Sequence, residues 1–192
     1  GPGVLTQDAT YSLTSLSFHI DDTFSPAEGV TIHGGARAEY IPQARGRDAL
    51  NGFMPYSDEF FTLLPGFGAS VEVTDEWALY GNYFQGFRPP QVWGFASVPP
   101  GGANLVFEKS RSYEAGTRVQ SAGGFYGSAA LWRSEFDDYT TFQSGFYENL
   151  GKIVAQGFDI VLDWEAGEVV PALDGLVVSG SVTVQDSELK TG

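Results

Sequence analysis

The sequence predicts an all-β fold, an antiparallel up-and-down barrel whose strands cross a membrane. Apolar and polar residues alternate with a period of two over much of the 192 residues, which places one set on each side of a sheet. Several predicted strands exceed the about five or six residues typical of soluble proteins and reach the roughly 9–11 that a tilted membrane strand needs. Short and long connections alternate along the chain, as they do in membrane barrels.

Eight strands are expected. The alternation is clearest at 157–165, where Phe158, Ile160, Leu162 and Trp164 fall on one face and the residues between them fall on the other. The segments 30–41, 113–120 and 176–185 alternate in the same way. Together with weaker patterns, they predict strands near 10–22, 30–41, 60–74, 76–87, 108–121, 124–136, 150–166 and 175–188.

The connections between these strands fall into two classes. Short ones lie near 25–29, 74–76, 121–124 and 167–175, and long ones lie near 42–58, 88–107 and 137–149. Aromatic residues such as Trp77 and Trp164 cluster near strand ends, as in the aromatic girdles of membrane barrels. A soluble sandwich gives no reason for this alternation, and a parallel sheet would need helical crossovers that the sequence does not supply.

The composition excludes several kinds of protein. The chain has 10 basic and 24 acidic residues, for a formal net charge of -14, so it offers no basic footprint for nucleic acid. It has no cysteine, which excludes disulfides, thiolate metal sites and cysteine nucleophiles. No run approaches the roughly 20 apolar residues of a membrane-spanning helix, and no signal segment is visible at the N-terminus.

Candidate metal-binding and catalytic groups are few. His19 and His33 lie on different predicted strands without a second ligand at a suitable spacing, so ordinary polar roles are favoured over a metal site. The carboxylates at 135–138 and 58–59 lie where strands meet loops and lack the glycine-punctuated spacing of a calcium loop. No nucleophile, phosphate-loop or dinucleotide motif is present. We therefore expect neither an enzyme nor a bound cofactor.

The basic residues suggest a binding site. Arg37, Arg45, Arg47 and Arg88 are four of the 10 basic side chains, and all lie on or near the side of the long connections. Guanidinium groups suit carboxylate-rich ligands, because their planar fork can donate two parallel hydrogen bonds to one carboxylate. Charge balance with neighbouring acidic residues explains the same pattern equally well, and the sequence leaves both interpretations open.

Five motifs, in chain order between residues 30 and 165, resemble those of TonB-dependent receptors. They are Gly35–Tyr40 (Gly-x-Arg-x-Glu), Leu64–Gly68 with Trp77–Tyr83 (Leu-Pro … Leu-Tyr-Ala-Asn), Phe87–Gln91 (Phe-Arg-x-Pro), Glu108–Arg118 (Glu-Lys-x-x-x-Tyr-Glu-x-Gly-x-Arg) and Asn149–Asp159 (Asn-x-Gly … Gly-x-Glu, with Asp159 replacing Glu). The segment Pro171–Leu176 and the context of Gln91 are similar to the ferric dicitrate branch of that family.

The resemblance implies a 22-stranded barrel, plugged by an N-terminal domain, that imports ferric chelates across the outer membrane of a Gram-negative bacterium with energy from TonB. Residues 1–192 would be part of the barrel domain, without the plug, the TonB-contacting box or the final aromatic strand end. The expected partners are a ferric chelate, outer-membrane lipid, and TonB through the plug. The expected ligand-binding residues are Arg45, Arg47, Arg88 and Gln91 in external loops, with Arg37 deeper in the barrel.

Two other hypotheses remain at this stage. The chain could be a soluble, secreted β-sandwich that binds carbohydrate through Trp93, Phe95 and Tyr147. More weakly, it could be an enzyme that uses Glu135 and Asp137.

Overall fold

A computed structural model describes residues 8–48, 53–89, 107–143, 146–149 and 151–190. It contains ten strands: β1 (Ala9–Ala27), β2 (Val30–Asp48), β3 (Phe53–Thr74), β4 (Trp77–Arg88), β5 (Glu108–Gln120), β6 (Phe125–Asp137), β7 (Thr140–Gln143), β8 (Phe146–Asn149), β9 (Lys152–Glu165) and β10 (Val177–Lys190). Two 3-10 turns, Ala166–Glu168 and Pro171–Leu173, lie between β9 and β10. In the part of the chain that the structure describes, no helix is long and apolar enough to cross a membrane.

Eight strands form one antiparallel sheet in the order β1-β2-β3-β4-β5-β6-β9-β10, and β7 and β8 form a separate hairpin. Every neighbour in the large sheet follows the previous strand along the chain once that hairpin is set aside. The up-and-down prediction is therefore confirmed. The β-sandwich hypothesis is wrong, because these eight strands form one sheet in the part of the chain that the structure describes, and not two facing layers. Trp93 and Phe95 lie outside those residues, as does the side chain of Tyr147.

The strands are longer at the long-connection end than the sequence predicts. The expected loop at 42–58 is largely paired backbone, with Arg45 opposite Ser57 and Gly46 opposite Tyr56. The expected loop at 137–149 contains the β7–β8 hairpin. Backbone groups continue to pair beyond the apolar part of a strand because each donor and acceptor still needs a partner.

The opposite end has tight turns. Gly29 closes the β1–β2 turn with a φ of 71°, a left-handed conformation that glycine adopts without strain. Its carbonyl accepts a hydrogen bond of 2.7 Å from the Glu72 amide on β3. The β9–β10 connection is longer, and the Ala166 amide closes it with a 3.0 Å bond to the Leu176 carbonyl.

The two faces of the sheet differ in polarity. We name them the apolar face, which carries residues such as Phe18 and Leu131, and the polar face, which carries residues such as His33 and Arg37. Phe18 is 69% exposed and Leu131 is 68% exposed. Among the described residues only four apolar side chains are buried, so the apolar face covers no core of its own. A large exposed apolar surface of this kind fits contact with lipid.

The apolar face ends abruptly toward the long connections. Residues that lie opposite one another on neighbouring strands form a row across the sheet. The last apolar row on four neighbouring strands contains Ala115, Leu131, Phe158 and Val184. The next row on the same face contains Tyr113, Arg133, Gln156 and Asp186. A charged side chain on the lipid face costs roughly 2–4 kcal/mol at mid-membrane and little near the interface. This change of row therefore marks the edge of the hydrocarbon.

That edge runs obliquely across the sheet. Through the strand register, Asp186 on β10 aligns with Phe67 on β3, but the first charged residue on that face of β3 is Glu59, eight residues farther along. Eight residues span about 26 Å, and the five strand spacings from β10 to β3 span about 24 Å, so the edge crosses the strands at about 45°. Strands of membrane barrels are tilted by roughly this angle.

Candidate functional site

The first predicted ligand-binding residue, Arg37, lies on the polar face of β2. Residues two apart in a strand share a face, so Arg37 is a direct neighbour of Glu39. The Arg37 Nε donates a hydrogen bond to a Glu39 carboxylate oxygen, and the Ser17 hydroxyl on β1 donates a second at 2.6 Å. The Glu39 side chain is 2% exposed, whereas that of Arg37 is 57% exposed. A buried carboxylate therefore anchors a guanidinium that remains open to solvent.

Arg88, at the end of β4, repeats this arrangement. The register places it opposite Glu108 at the start of β5, and its guanidinium donates to the Glu108 carboxylate. Glu108 is almost fully buried and Arg88 is about half exposed. The guanidinium carbon also lies 5.6 Å from the centre of the Tyr139 ring, within the range of a cation–π contact. Arg88 is thus held from two sides.

The two arginines share a chemistry. Each has a buried acidic partner that fixes its position, and each keeps part of its guanidinium exposed on the polar face. A fixed guanidinium loses little conformational freedom when it binds a carboxylate, which favours recognition of an anionic ligand. The same acidic partners compensate part of the positive charge. Ligand binding and charge balance therefore both remain compatible with the geometry.

The other predicted residues are placed only in part. The backbones of Arg45 and Arg47 belong to β2, but their side chains lie outside the described residues. Gln91 also lies outside them. Glu39 and Glu108 were not predicted from the sequence as arginine partners. The spacing of two between Arg37 and Glu39 could have revealed the first pair, whereas the second depends on the pairing of β4 with β5.

A groove of about 760 Å³ opens on the polar face; Arg37 lines it, and it extends from Arg37 away from the long connections. Its lining includes His19, His33, Tyr80 and Arg118. The Arg118 guanidinium lies 5.1 Å from the centre of the Tyr80 ring. No group of three metal-ligating side chains occurs among the described residues. The groove is therefore polar and basic in part, without a metal site in the described chain.

The carboxylates of the enzyme hypothesis lie elsewhere. Glu135 and Asp137 belong to the same face as Leu131, on the opposite side of the sheet from Arg37. The Lys152 ammonium donates to Glu135 at 2.6 Å, and the Arg111 guanidinium donates to Asp137 at 2.6 Å. Arg133 donates to Glu135 at 3.0 Å. Both carboxylates are thus engaged in ion pairs on the outside of the sheet.

Comparisons with known proteins bear on the family. A family profile described as "TonB dependent receptor-like, beta-barrel" matches residues 1–191. The pesticin receptors of Yersinia enterocolitica and Yersinia pestis are each 27% identical over 206 residues, which cover 99% of this chain. The chain spans only 28% of the length of those receptors.

Solved structures show the same fold. The ferric citrate transporter FecA, in its unliganded form, is similar with a TM-score of 0.74 and 22% identity over 95% of this chain and 27% of that one. The ferric yersiniabactin uptake receptor FyuA from Yersinia pestis has a TM-score of 0.70 and 24% identity over 95% of this chain and 28% of that one. The expected family is therefore confirmed: the chain belongs to the TonB-dependent receptor-like β-barrels of Gram-negative outer membranes.

Proposed function

We propose that this chain forms part of the wall of an outer-membrane receptor that takes up a ferric chelate with energy from TonB. The family assignment supports the transport role. Structural neighbours described as a ferric citrate transporter and a ferric yersiniabactin uptake receptor support iron chelates as the cargo class. In this proposal residues 1–192 belong to the barrel domain, and TonB acts through the plug domain of the whole receptor.

Arg37 and Arg88 are the proposed ligand contacts among the described residues. The observation that carries this assignment is that both guanidinium groups are anchored by buried carboxylates on the polar face and remain about half exposed. In a barrel whose other face meets lipid, the polar face lines the interior. Arg45, Arg47 and Gln91 complete the proposed set. A carboxylate-bearing chelate of the ferric dicitrate type suits these donors.

The test is a binding measurement on the full-length protein. Arg88→Gln alone would leave the Glu108 carboxylate buried without its cation, which can weaken folding as well as binding. The double variant Arg88→Gln/Glu108→Gln keeps the site neutral and separates these effects. We expect ferric dicitrate to bind at least ten-fold more weakly to the double variant, since a hydrogen bond to a charged group contributes about 1.5–3 kcal/mol.

A matched control removes one positive charge from the other face. Lys190→Gln lies on the apolar side of β10, in the charged rows, where Lys190 pairs with Glu188. We expect ferric dicitrate affinity to stay within two-fold of wild type in this control. If the double variant bound ferric dicitrate as tightly as Lys190→Gln does, Arg88 would not be a ligand contact. Failure of every ferric chelate to bind the wild-type protein would refute the transport proposal itself.

A further inference from the structure

The connection between β9 and β10 differs from the other short turns. It contains the 3-10 turns Ala166–Glu168 and Pro171–Leu173, whereas the turns at 28–29, 75–76 and 121–124 contain only acidic and small residues. Four of its apolar side chains are between 40% and 59% exposed: Val169, Val170, Leu173 and Leu176. Exposed apolar side chains that lie close together mark an interaction surface. Their partner is not supplied by the part of the chain that the structure describes.

The connection continues the apolar face. Trp164 and Val178 lie opposite one another on that face. Two positions farther along each strand, the Ala166 amide donates a 3.0 Å hydrogen bond to the Leu176 carbonyl, so this pair extends the same face. Ala166 is fully buried, because the connection folds over it. The exposed side chains of the connection therefore border the surface that meets lipid.

The connection also lies at the inner edge of the hydrocarbon. A band about 25 Å thick spans about 35 Å of a strand tilted by about 45°, which corresponds to about 11 residues. Counted from Gln156, in the first polar row of β9, this length ends near residue 167. Counted back from Asp186 on β10, it ends near residue 175. Both counts end inside the connection, on the periplasmic side of the membrane, which short turns face.

The turn between β3 and β4 provides a contrast. Counted from Glu59, the first charged residue on the apolar face of β3, about 11 residues end near residue 70. Asp75, an exposed residue of that turn, is farther along the chain and lies about 12 Å outside the hydrocarbon. The β9–β10 connection thus lies at the membrane interface, whereas the β3–β4 turn extends into water.

The charges of the connection favour one kind of lipid headgroup. Glu168 and Asp174 are both exposed, and no basic residue occurs between residues 163 and 178. Carboxylates at the headgroup level repel a lipid with a net negative charge and attract a headgroup ammonium. Phosphatidylethanolamine carries such an ammonium beside its phosphate. Charge complementarity therefore favours this headgroup over an anionic one.

We propose that the β9–β10 connection is an interfacial anchor in the inner leaflet, inserted among lipids with ammonium headgroups. Its four exposed apolar side chains lie at the boundary between headgroups and acyl chains, and Glu168 and Asp174 face the ammonium groups. A protein partner is disfavoured, because stable interfaces bury roughly 600 Å² or more on each side, and four partly exposed side chains offer far less. The anchor is independent of the ligand that the receptor binds.

The experiment places a fluorescent label on single cysteines of the full-length protein, in a background free of other cysteines. Residues 1–192 themselves contain none. Val169→Cys and Leu173→Cys report on the anchor, and Asp75→Cys is the matched control in the β3–β4 turn. The protein is reconstituted in vesicles of phosphatidylethanolamine and phosphatidylglycerol, with or without a lipid that carries a nitroxide quencher near its headgroup. Iodide, present on both sides of the bilayer, quenches labels that water reaches.

We expect the labels at positions 169 and 173 to lose about half of their emission to the nitroxide lipid and little to iodide, because interfacial elements lie about 5–10 Å into the boundary between headgroups and acyl chains. The label at position 75 should respond in the opposite way. Iodide quenching at positions 169 and 173 would place them in water and overturn the proposal. Protection from both quenchers would mean that protein covers the connection, and would overturn it as well.

A substitution tests whether the apolar side chains cause the insertion. Leu173→Asp replaces one of them with a charge, and we expect the label at position 169 to lose about half of its quenching by the nitroxide lipid. Ser181→Asp is the matched control, because it adds the same charge on the polar face of β10, opposite Val161, and should leave that quenching unchanged. Equal quenching in Leu173→Asp and Ser181→Asp would refute the anchor.

The headgroup is tested by lipid composition. In vesicles of phosphatidylglycerol alone, the nitroxide lipid should quench the label at position 169 less than in the mixed vesicles, and Glu168→Gln/Asp174→Asn should restore the quenching. Equal quenching of the otherwise unchanged protein in both kinds of vesicle would overturn the preference for ammonium headgroups. All variants are first checked for the folded, heat-sensitive band of a barrel on gels, and Leu173→Asn replaces Leu173→Asp if the latter lacks it.

Discussion

The substitution Ile160→Arg provides a direct test of which face meets lipid. Ile160 lies on the apolar face of β9, between β6 and β10, and its side chain is 36% exposed. On a soluble protein, an exposed position of this kind tolerates arginine with a change of about 0.5 kcal/mol or less in the free energy of unfolding. In a bilayer the same change places a guanidinium among acyl chains. A water-exposed face and a lipid-exposed face therefore predict different losses in the free energy of unfolding.

The strand geometry gives the expected cost. Ile160 is four residues from Trp164, at the short-turn end, and four residues from Gln156, in the first polar row on that face. Four residues span about 13 Å along a strand, which at a tilt of about 45° is about 9 Å of membrane depth. Ile160 thus lies near the midplane of a hydrocarbon band about 25 Å thick. We expect Ile160→Arg to reduce the free energy of unfolding by roughly 2–4 kcal/mol.

Two matched variants complete the test. Gln156→Arg lies on the same face at the hydrocarbon edge and should cost about 0–1 kcal/mol. Thr183→Arg lies on the polar face of β10 opposite Asp159, and should cost less than about 0.5 kcal/mol. The assay is guanidinium-induced unfolding of the full-length protein from lipid vesicles, followed by tryptophan fluorescence. Equal costs for Ile160→Arg and Gln156→Arg would refute the assignment of faces and the hydrocarbon edge.

Two further variants test local packing in the same unfolding assay. Gly35→Ala should cost about 1–3 kcal/mol, because a Cβ there would lie 2.5 Å from the Ile20 carbonyl oxygen and 2.9 Å from the Asp21 Cα, backbone atoms that cannot rotate away. Gly180→Ala, with no atom within 4 Å of the added Cβ, should be neutral or slightly stabilising. Trp77→Phe should cost about 0.5–1.5 kcal/mol, because the indole Nε1 donates a 2.6 Å hydrogen bond to Thr117 Oγ1. If Trp77→Phe reduced the free energy of unfolding by the same amount in a Thr117→Val background, that hydrogen bond would contribute nothing.

The sequence predicted most of the fold because lipid imposes a strong pattern on side chains. The strand expected at 150–166 is β9, Lys152–Glu165, and its alternation of apolar and polar residues is the clearest in the chain. The extensions of β2 and β3 into the expected loop at 42–58 were missed. Beyond the hydrocarbon both faces of a strand can be polar, so backbone pairing continues without the period that reveals it.

The site was predictable to a smaller extent. That Arg37 and Glu39 share a face follows from their spacing alone. The pairing of Arg88 with Glu108 does not, because it depends on which strands are neighbours. The ion pairs of Lys152 with Glu135 and of Arg111 with Asp137 were missed for the same reason. Lys109 and Lys152 are far apart in the sequence, and only the register of β5, β6 and β9 brings them to one end of one face.

One sheet carries its arginines in two different settings, and burial distinguishes their roles. On the polar face, Glu39 and Glu108, the acidic partners of Arg37 and Arg88, are only 2% and 9% exposed. On the apolar face, Asp137, the partner of Arg111, is 35% exposed, and Glu135, the partner of Arg133 and Lys152, is 15% exposed. The partners of the polar-face arginines are therefore withdrawn from solvent more completely than those on the apolar face, and solvent screening weakens the outer ion pairs more.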